Sequence, residues 1–182
     1  MRLEDYLPSE PAEVHCETSN GKATLVFARD IRHGPARVWA ALTQAGMLPK
    51  WAPFRPSRNL DATGPVTLTM VDGSTPDTHQ AEVMKVQAGK RVRYSWGENG
   101  ILDWQIEASA NGTRLILRHT VVDPAWITPA AAGWHICLDF AEILLDGHDI
   151  GPVLAEAAME YGWERLAEYY GPILSMQDDD EA

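Results

Sequence analysis

The sequence predicts an α+β domain in which an antiparallel sheet is covered on its apolar face by long C-terminal helices. Three observations predict it. Strand-length segments follow one another between turn residues through the first two thirds of the chain. Helical periodicity takes over only in the last third. The strands alternate apolar and polar residues, so the sheet has one apolar face that only the late helices are long enough to cover.

The elements are justified in chain order. Residues 1–12 hold two prolines and mixed charge and read as a loose leader. Asn20-Gly21 then separates Glu13–Ser19 from Lys22–Ile31, and Asn-Gly is the strongest short hairpin signal. His33-Gly34-Pro35 stops the second arm. Pro35 is pre-set for a helix start, and Val38, Trp39 and Leu42 give the following helix an apolar side before Gly46 ends it. Strands are expected near Ser57–Asp61, Val66–Val71, Gln80–Val86, Arg91–Trp96, Ile101–Ser109 and Thr113–Val122. Turn residues mark their connections: Asp72-Gly73, Gly89, Gly97 to Gly100, and Asn111-Gly112, the last read as a second two-residue hairpin. Pro124 ends the sheet.

After a loop containing Pro129, a helix is expected from Trp134 to Leu145. Trp134, Leu138, Ala141 and Leu145 form its apolar stripe, with Cys137 as a small buried hydrophobe. His135, Asp139, Glu142 and Asp146 fall on the other side. Gly147 suits a C-terminal cap. A further helix is expected over Pro152–Tyr170, with Met159, Trp163, Leu166 and Tyr170 as its stripe and Gly171-Pro172 as its end.

Composition limits the function. The chain has 182 residues, 45% hydrophobic and 23% charged, enough for one sizeable core. Its net charge is −11, which disfavours binding to phosphate backbones and anionic membranes, so no nucleic-acid or membrane partner is expected. No apolar run reaches the length of a bilayer span, and the start lacks a secretory signal. Cys16 and Cys137 cannot build a disulfide framework, which favours the cytoplasm. The histidines lie scattered without His-Glu-x-x-His, and there is no P-loop, dinucleotide fingerprint or nucleophile elbow, so neither metal nor cofactor is expected.

Two stretches carry a family resemblance. Ala28-Arg29-Asp30-Ile31 followed by Pro35 to Thr43, with Trp51 after it, resembles the "P-x-x-V-W-x-A-L-T" entry of the SRPBCC (START-like, helix-grip) superfamily. Gly133-Trp134-His135-Ile136-Cys137-Leu138-Asp139 resembles the "G-W-x-x-x-L-D" start of its C-terminal helix. Both are typical of the branch named after the activator of the heat-shock-protein-90 ATPase. The resemblance covers roughly residues 22–147 and implies a curved sheet gripping the C-terminal helix; outside this helix-grip domain the chain reads as a leader and first hairpin arm (1–21), a helical extension beyond the family's usual end (148–174) and an acidic tail (175–182) expected to be disordered. It implies an elongated apolar cavity between sheet and helix. It also implies the roles of the superfamily: binding of small molecules, a few cyclases and hydrolases, or action on chaperones in stress response.

The candidate site residues follow from that picture. A small apolar or amphipathic molecule would be held by Trp51, Met70, Trp96, Trp104, Trp126, Trp134 and Leu138. Trp51 and Trp126, in loops, read as a rim or gate; Trp104 and Trp134 could equally be core. Arg118 and His119 alternate along one strand, so one of them must face inward or lie at a sheet end and could orient a ligand. An enzymatic alternative uses His135 as a base oriented by Asp139, four residues on, or His119. The competing reading makes His135 and Asp139 a solvated helix face. A third possibility is a chaperone-interaction module. Trp163, Tyr169 and Tyr170 could form a homodimer surface on the C-terminal helix. Lys85, Lys90, Arg91 and Arg93 read as a solvated basic cluster whose partners are Glu13, Glu17 and the tail.

Overall fold

The computed structural model describes residues 3–71, 77–149, 151 and 158–175. The expected Asp72-Gly73 turn, the segment 152–157 and the tail from residue 176 lie outside them.

The described residues form an eight-stranded antiparallel sheet in the order β1-β2-β8-β7-β6-β5-β4-β3. The strands are β1 (Glu13–Ser19), β2 (Lys22–Ile31), β3 (Phe54–Pro56), β4 (Gly64–Met70), β5 (Thr78–Gln87), β6 (Arg91–Trp96), β7 (Gly100–Ser109) and β8 (Gly112–Val121). Among the described residues the α-helices that accompany them are α1 (Pro35–Thr43), α2 (Ile127–Leu145) and α3 (Trp163–Ser175). The α+β helix-grip architecture is as the sequence predicts, with the curled sheet holding α2.

The turns show why. Asn20 and Gly21 both take positive φ, 53° and 72°, the pair a two-residue hairpin needs between Ser19 and Lys22. The β7–β8 hairpin differs by one residue from expectation: Ser109 pairs with Gly112, so the loop is Ala110-Asn111. Gly112 is required there for another reason. A Cβ on it would sit 2.2 Å from the Ile31 carbonyl oxygen.

Residues 57–61 are not a strand. The Arg58 guanidinium gathers the carbonyls of Asn59, Ala62, Gly64 and Pro65, and Leu60 donates its N–H to the Thr43 carbonyl at 2.8 Å. These bonds fold the segment into a loop that buries only Leu60, and the short β3 precedes it.

Both late helices differ from their expected bounds, and the helix expected to run unbroken over Pro152–Tyr170 is interrupted at residues 159–162, where Gly162 takes φ 85°, so that α3 starts at Trp163. The α2 helix begins at Ile127, seven residues before Trp134, because Pro129 falls in its first turn, where no intrahelical N–H bond is lost. The α3 helix carries Pro172 inside its final turn and continues to Ser175. Leu174 is buried and anchors that turn against the core.

Along β8, Thr113, Leu115, Leu117, His119 and Val121 are all buried, the alternation of a sheet with one covered face. An aromatic chain crosses the core. Trp51 meets Trp104 edge-on at 5.9 Å, Trp104 meets Trp134 at 5.2 Å, and Trp134 meets Trp96 at 6.1 Å. Each buried indole has a partner: Trp51 Nε1 donates to the Ala41 carbonyl at 3.0 Å, and Trp104 Nε1 to the Tyr94 hydroxyl at 2.9 Å.

Candidate functional site

The sheet and α2 do not close on each other completely. Between them lies a cavity of about 650 Å³. The sheet contributes Met70, Trp96 and His119 to its wall, and α2 contributes Gly133, Trp134 and Cys137. Its mouth is open to solvent and mostly apolar, with Asp123 beside it: Val122 is 61% exposed, Trp126 63% and Met159 49%. Trp163, the first residue of α3, completes that side.

Five expected cavity residues therefore meet there: Met70, Trp96, His119, Trp126 and Trp134. Trp51, Trp104 and Leu138 do not line the cavity; they are core. Trp51 is no gate. The single 3-10 turn Leu48–Lys50 rotates it inward, where it is 1% exposed. Arg118 lies on the outer face of β8, 3.7 Å from Glu17, because His119 takes the inward register position. Sequence reasoning missed Val122, Met159, Trp163 and Gly133 as wall residues. Gly133 was missed because the helix was expected to begin at Trp134, which left Gly133 outside it.

His119 is the polar point of the cavity. The Trp134 indole N–H donates to its Nδ1 at 3.0 Å. Burial lowers the ring's pKa to about 4, so the ring is neutral at pH 7. With Nδ1 accepting, the proton sits on Nε2, which leaves one N–H donor on a ring that lines an otherwise apolar space.

A second polar group lies elsewhere on α2. His135 and Asp139, expected on a solvated face, are 0% and 4% exposed. The leader and α3 cover them. Tyr6 donates its hydroxyl to Asp139 Oδ2 at 2.6 Å, Ser9 Oγ donates to Asp139 Oδ1 at 2.5 Å, and Arg29 donates to Oδ1 at 2.8 Å. Arg29 also reaches Glu142 at 2.5 Å. On the other side of the imidazole, Nδ1 is hydrogen-bonded to the Tyr170 hydroxyl at 2.7 Å, and that hydroxyl accepts from Ala12 N–H at 2.8 Å. The leader is thus a docked strap and not a loose end. Burial alone would raise the Asp139 pKa, but hydrogen bonds from His135 and Ser9 and the Arg29 charge outweigh it and hold the carboxyl well below the usual range.

Both ring nitrogens of His135 are engaged within this group. Ser9 Oγ lies 3.2 Å from Nε2, yet its proton goes to Asp139, and none of these residues faces the cavity. The group joins leader, β2, α2 and α3. Tyr170, and Trp163 in part, are likewise turned into the fold, so of the three aromatics assigned to a dimer surface only Tyr169 is half exposed. The basic cluster also resolves differently. Arg91 forms a two-pronged pair with Asp103 at 2.8 and 2.6 Å, while Glu13 pairs with Arg114. Among the described residues no helix is long and apolar enough to cross a membrane, and no group of His, Cys, Asp and Glu is arranged to hold a metal ion.

Comparison with known proteins agrees with this geometry. The family described as activator of Hsp90 ATPase homolog 1-like protein matches residues 32–145, from before α1 to the end of α2. CalU16 of Micromonospora echinospora, in solution, superposes with a TM-score of 0.70 at 15% identity, over 96% of this chain and 98% of that one. A conserved protein of unknown function from Enterococcus faecalis gives 0.65 at 15% identity, over 90% and 91% of the two chains. The AHSA1 protein of Silicibacter pomeroyi gives 0.56 at 20% identity, covering 69% of this chain and 99% of its own. Such identities speak for the fold alone. Among curated proteins none matches the chain.

Proposed function

The chain belongs to the family of activator of Hsp90 ATPase homolog 1-like proteins, and from that premise we propose that it holds a small apolar or amphipathic molecule between sheet and α2 without transforming it. The fold is that of a ligand-binding or protein-interaction module. The observation that favours a small-molecule ligand is the cavity itself: about 650 Å³, mostly apolar, entered past exposed Val122, Trp126 and Met159, with the neutral imidazole of His119 in its wall. Pockets of roughly 300–1,000 Å³ take drug-sized ligands, mostly through apolar walls and a few oriented polar groups. The non-catalytic part of the reading is supported by the engagement of His135 and Asp139 in the strap, away from that space.

Thermal denaturation across a panel of lipids and aromatic metabolites tests it. A molecule at a hundredfold excess over its Kd adds about 2.7 kcal/mol of stability, which moves the midpoint by several degrees in a chain of this size. Mass spectrometry of the purified protein looks for a co-purified occupant. A panel without any shift, together with a stoichiometric mass change in light scattering on adding Hsp90, would replace this reading by the chaperone-interaction role that the family description suggests.

A further inference from the structure

Resting on that reading, we propose that the ligand is an uncharged molecule built on a rigid ring system, with one hydrogen-bond acceptor for His119 Nε2, and not a fatty acid or other anion. Three features of the wall carry this.

The first is charge. Among the described residues lining the cavity there is no Lys or Arg, and the one ionised group is Asp123 at the mouth. Its Oδ1 is engaged by the Ala125 N–H at 2.9 Å. A carboxylate entering this space would shed water and meet no counter-charge, only a like charge at the entrance. An unpaired buried charge is penalised by several kcal/mol.

The second is the donor. The Trp134 indole occupies His119 Nδ1, so what the ring offers the cavity is an N–H. The neutral ring fits an acceptor such as a ketone, quinone or ester oxygen. The lowered pKa of His119 agrees, since it keeps the ring uncharged at physiological pH.

The third is shape. Trp96, Trp134 and His119 meet at steep angles: 90° between Trp96 and His119, 79° between His119 and Trp134, and 56° between the two indoles. They form a corner of ring faces and edges. Trp126 and Trp163 add two indoles at the mouth. Opposite the sheet, the cavity comes down to the α2 backbone at Gly133, where a Cβ would meet nothing within 4 Å. A planar ring can lie against such surfaces with little entropy to lose, whereas a flexible chain loses rotor freedom for the same area.

Four probes on the full chain at pH 7.5 separate the possibilities: 9-acetylanthracene, 9-ethylanthracene, anthracene-9-carboxylate and methyl laurate. Tryptophan quenching and the denaturation midpoint are the readouts. The acetyl compound should bind at least tenfold more tightly than the carboxylate and than methyl laurate, and severalfold more tightly than the ethyl compound. His119→Phe should abolish the acetyl-over-ethyl preference while keeping ring binding. Equal or tighter binding of the carboxylate or of methyl laurate overturns the proposed ligand class but leaves the container reading intact. Equal binding of acetyl and ethyl compounds to the wild type overturns the acceptor. Binding by none of the four counts against the container reading and takes this inference with it.

Discussion

The indole N–H of Trp134 donates to Nδ1 of His119 across 3.0 Å, joining the centre of α2 to β8. One bond thus does three things. It satisfies the polar atom of a buried tryptophan, it fixes the tautomer of a buried histidine, and it turns the remaining N–H of that histidine toward the cavity. Leu25 on β2 and Leu102 on β7 flank His119 in register, so apolar neighbours on both sides desolvate it.

That desolvation makes the protein sensitive to mild acid. The folded pKa of His119, about 4, lies below its unfolded value of 6.5. Above pH 6.5 both states are neutral and nothing is lost. As pH falls from 6.5 towards 4 the unfolded chain takes up a proton that the folded one refuses, so stability declines, by about 2–3 kcal/mol at pH 4.5. Urea denaturation of the wild type and of His119→Asn at pH 7 and 4.5 measures this. The variant should lose less on acidification by that amount; equal losses would show that His119 is not the group responsible.

The strap predicts a separate acid step. The Asp139 carboxyl is held below its unfolded value of 3.8, so its contribution is complete above that pH and lost as pH falls further below it. Its window therefore lies beneath that of His119. Asp139→Asn at pH 7 leaves the buried Arg29 short of a partner and weakens the bonds from Tyr6 and Ser9. Breaking a buried charge pair of this kind costs about 3–5 kcal/mol. Limited proteolysis should then cleave within residues 3–12 at protease levels that spare the wild type. An uncleaved leader would mean that the Ala12–Tyr170 hydrogen bond and the packing of Tyr6 on Phe140 and Tyr161 hold it without the carboxylate.

What the sequence made legible was short-range or periodic. Asn20-Gly21 announces its hairpin because the turn demands positive φ from two adjacent residues. The β8 alternation places His119 inward. The burial of His135 and Asp139 was not legible, because periodicity assigns polar residues to water unless a partner is known. The partners of Asp139, namely Tyr6, Ser9 and Arg29, are more than a hundred residues away, and Tyr170, the partner of His135 Nδ1, lies on another helix. Trp51 was misread for a related reason: a loop tryptophan looks like a rim until the carbonyl that receives its N–H, Ala41, is located. Pro129 misled because it sits in the first turn, where its N–H would have had no intrahelical partner; Pro172 misled because the helix continues past it at the loss of the bond to the Glu168 carbonyl, with Leu174 buried beyond it.

Trp126 separates rim from core. At 63% exposure it contributes little to the folded state, and Trp126→Ala should change stability by no more than about 0.5 kcal/mol. It also removes the largest apolar surface at the mouth. With any panel molecule that binds the wild type, the variant should show a severalfold higher Kd, mainly through faster dissociation in stopped-flow fluorescence. A stability loss above 2 kcal/mol would assign Trp126 to the core instead.

Gly133 sets stability against cavity space most directly. A glycine inside a helix costs about 1 kcal/mol relative to alanine, because it has more backbone freedom to lose. Usually such a residue is explained by a neighbour too close for a Cβ. Here nothing lies within 4 Å, so packing does not require it, and what the missing side chain leaves is room beside Trp134 and Cys137. Two substitutions separate these effects. Gly133→Ala should raise stability by about 1 kcal/mol, seen as an upward shift in the denaturation midpoint, with modest loss of binding. Gly133→Leu projects its side chain into the cavity, so it should keep or raise stability by covering apolar wall that water now reaches, while weakening binding at least tenfold. If Gly133→Leu instead unfolds the protein, the space at Gly133 is too small to take a side chain. If it binds every panel molecule as the wild type does, the occupied part of the cavity lies away from α2.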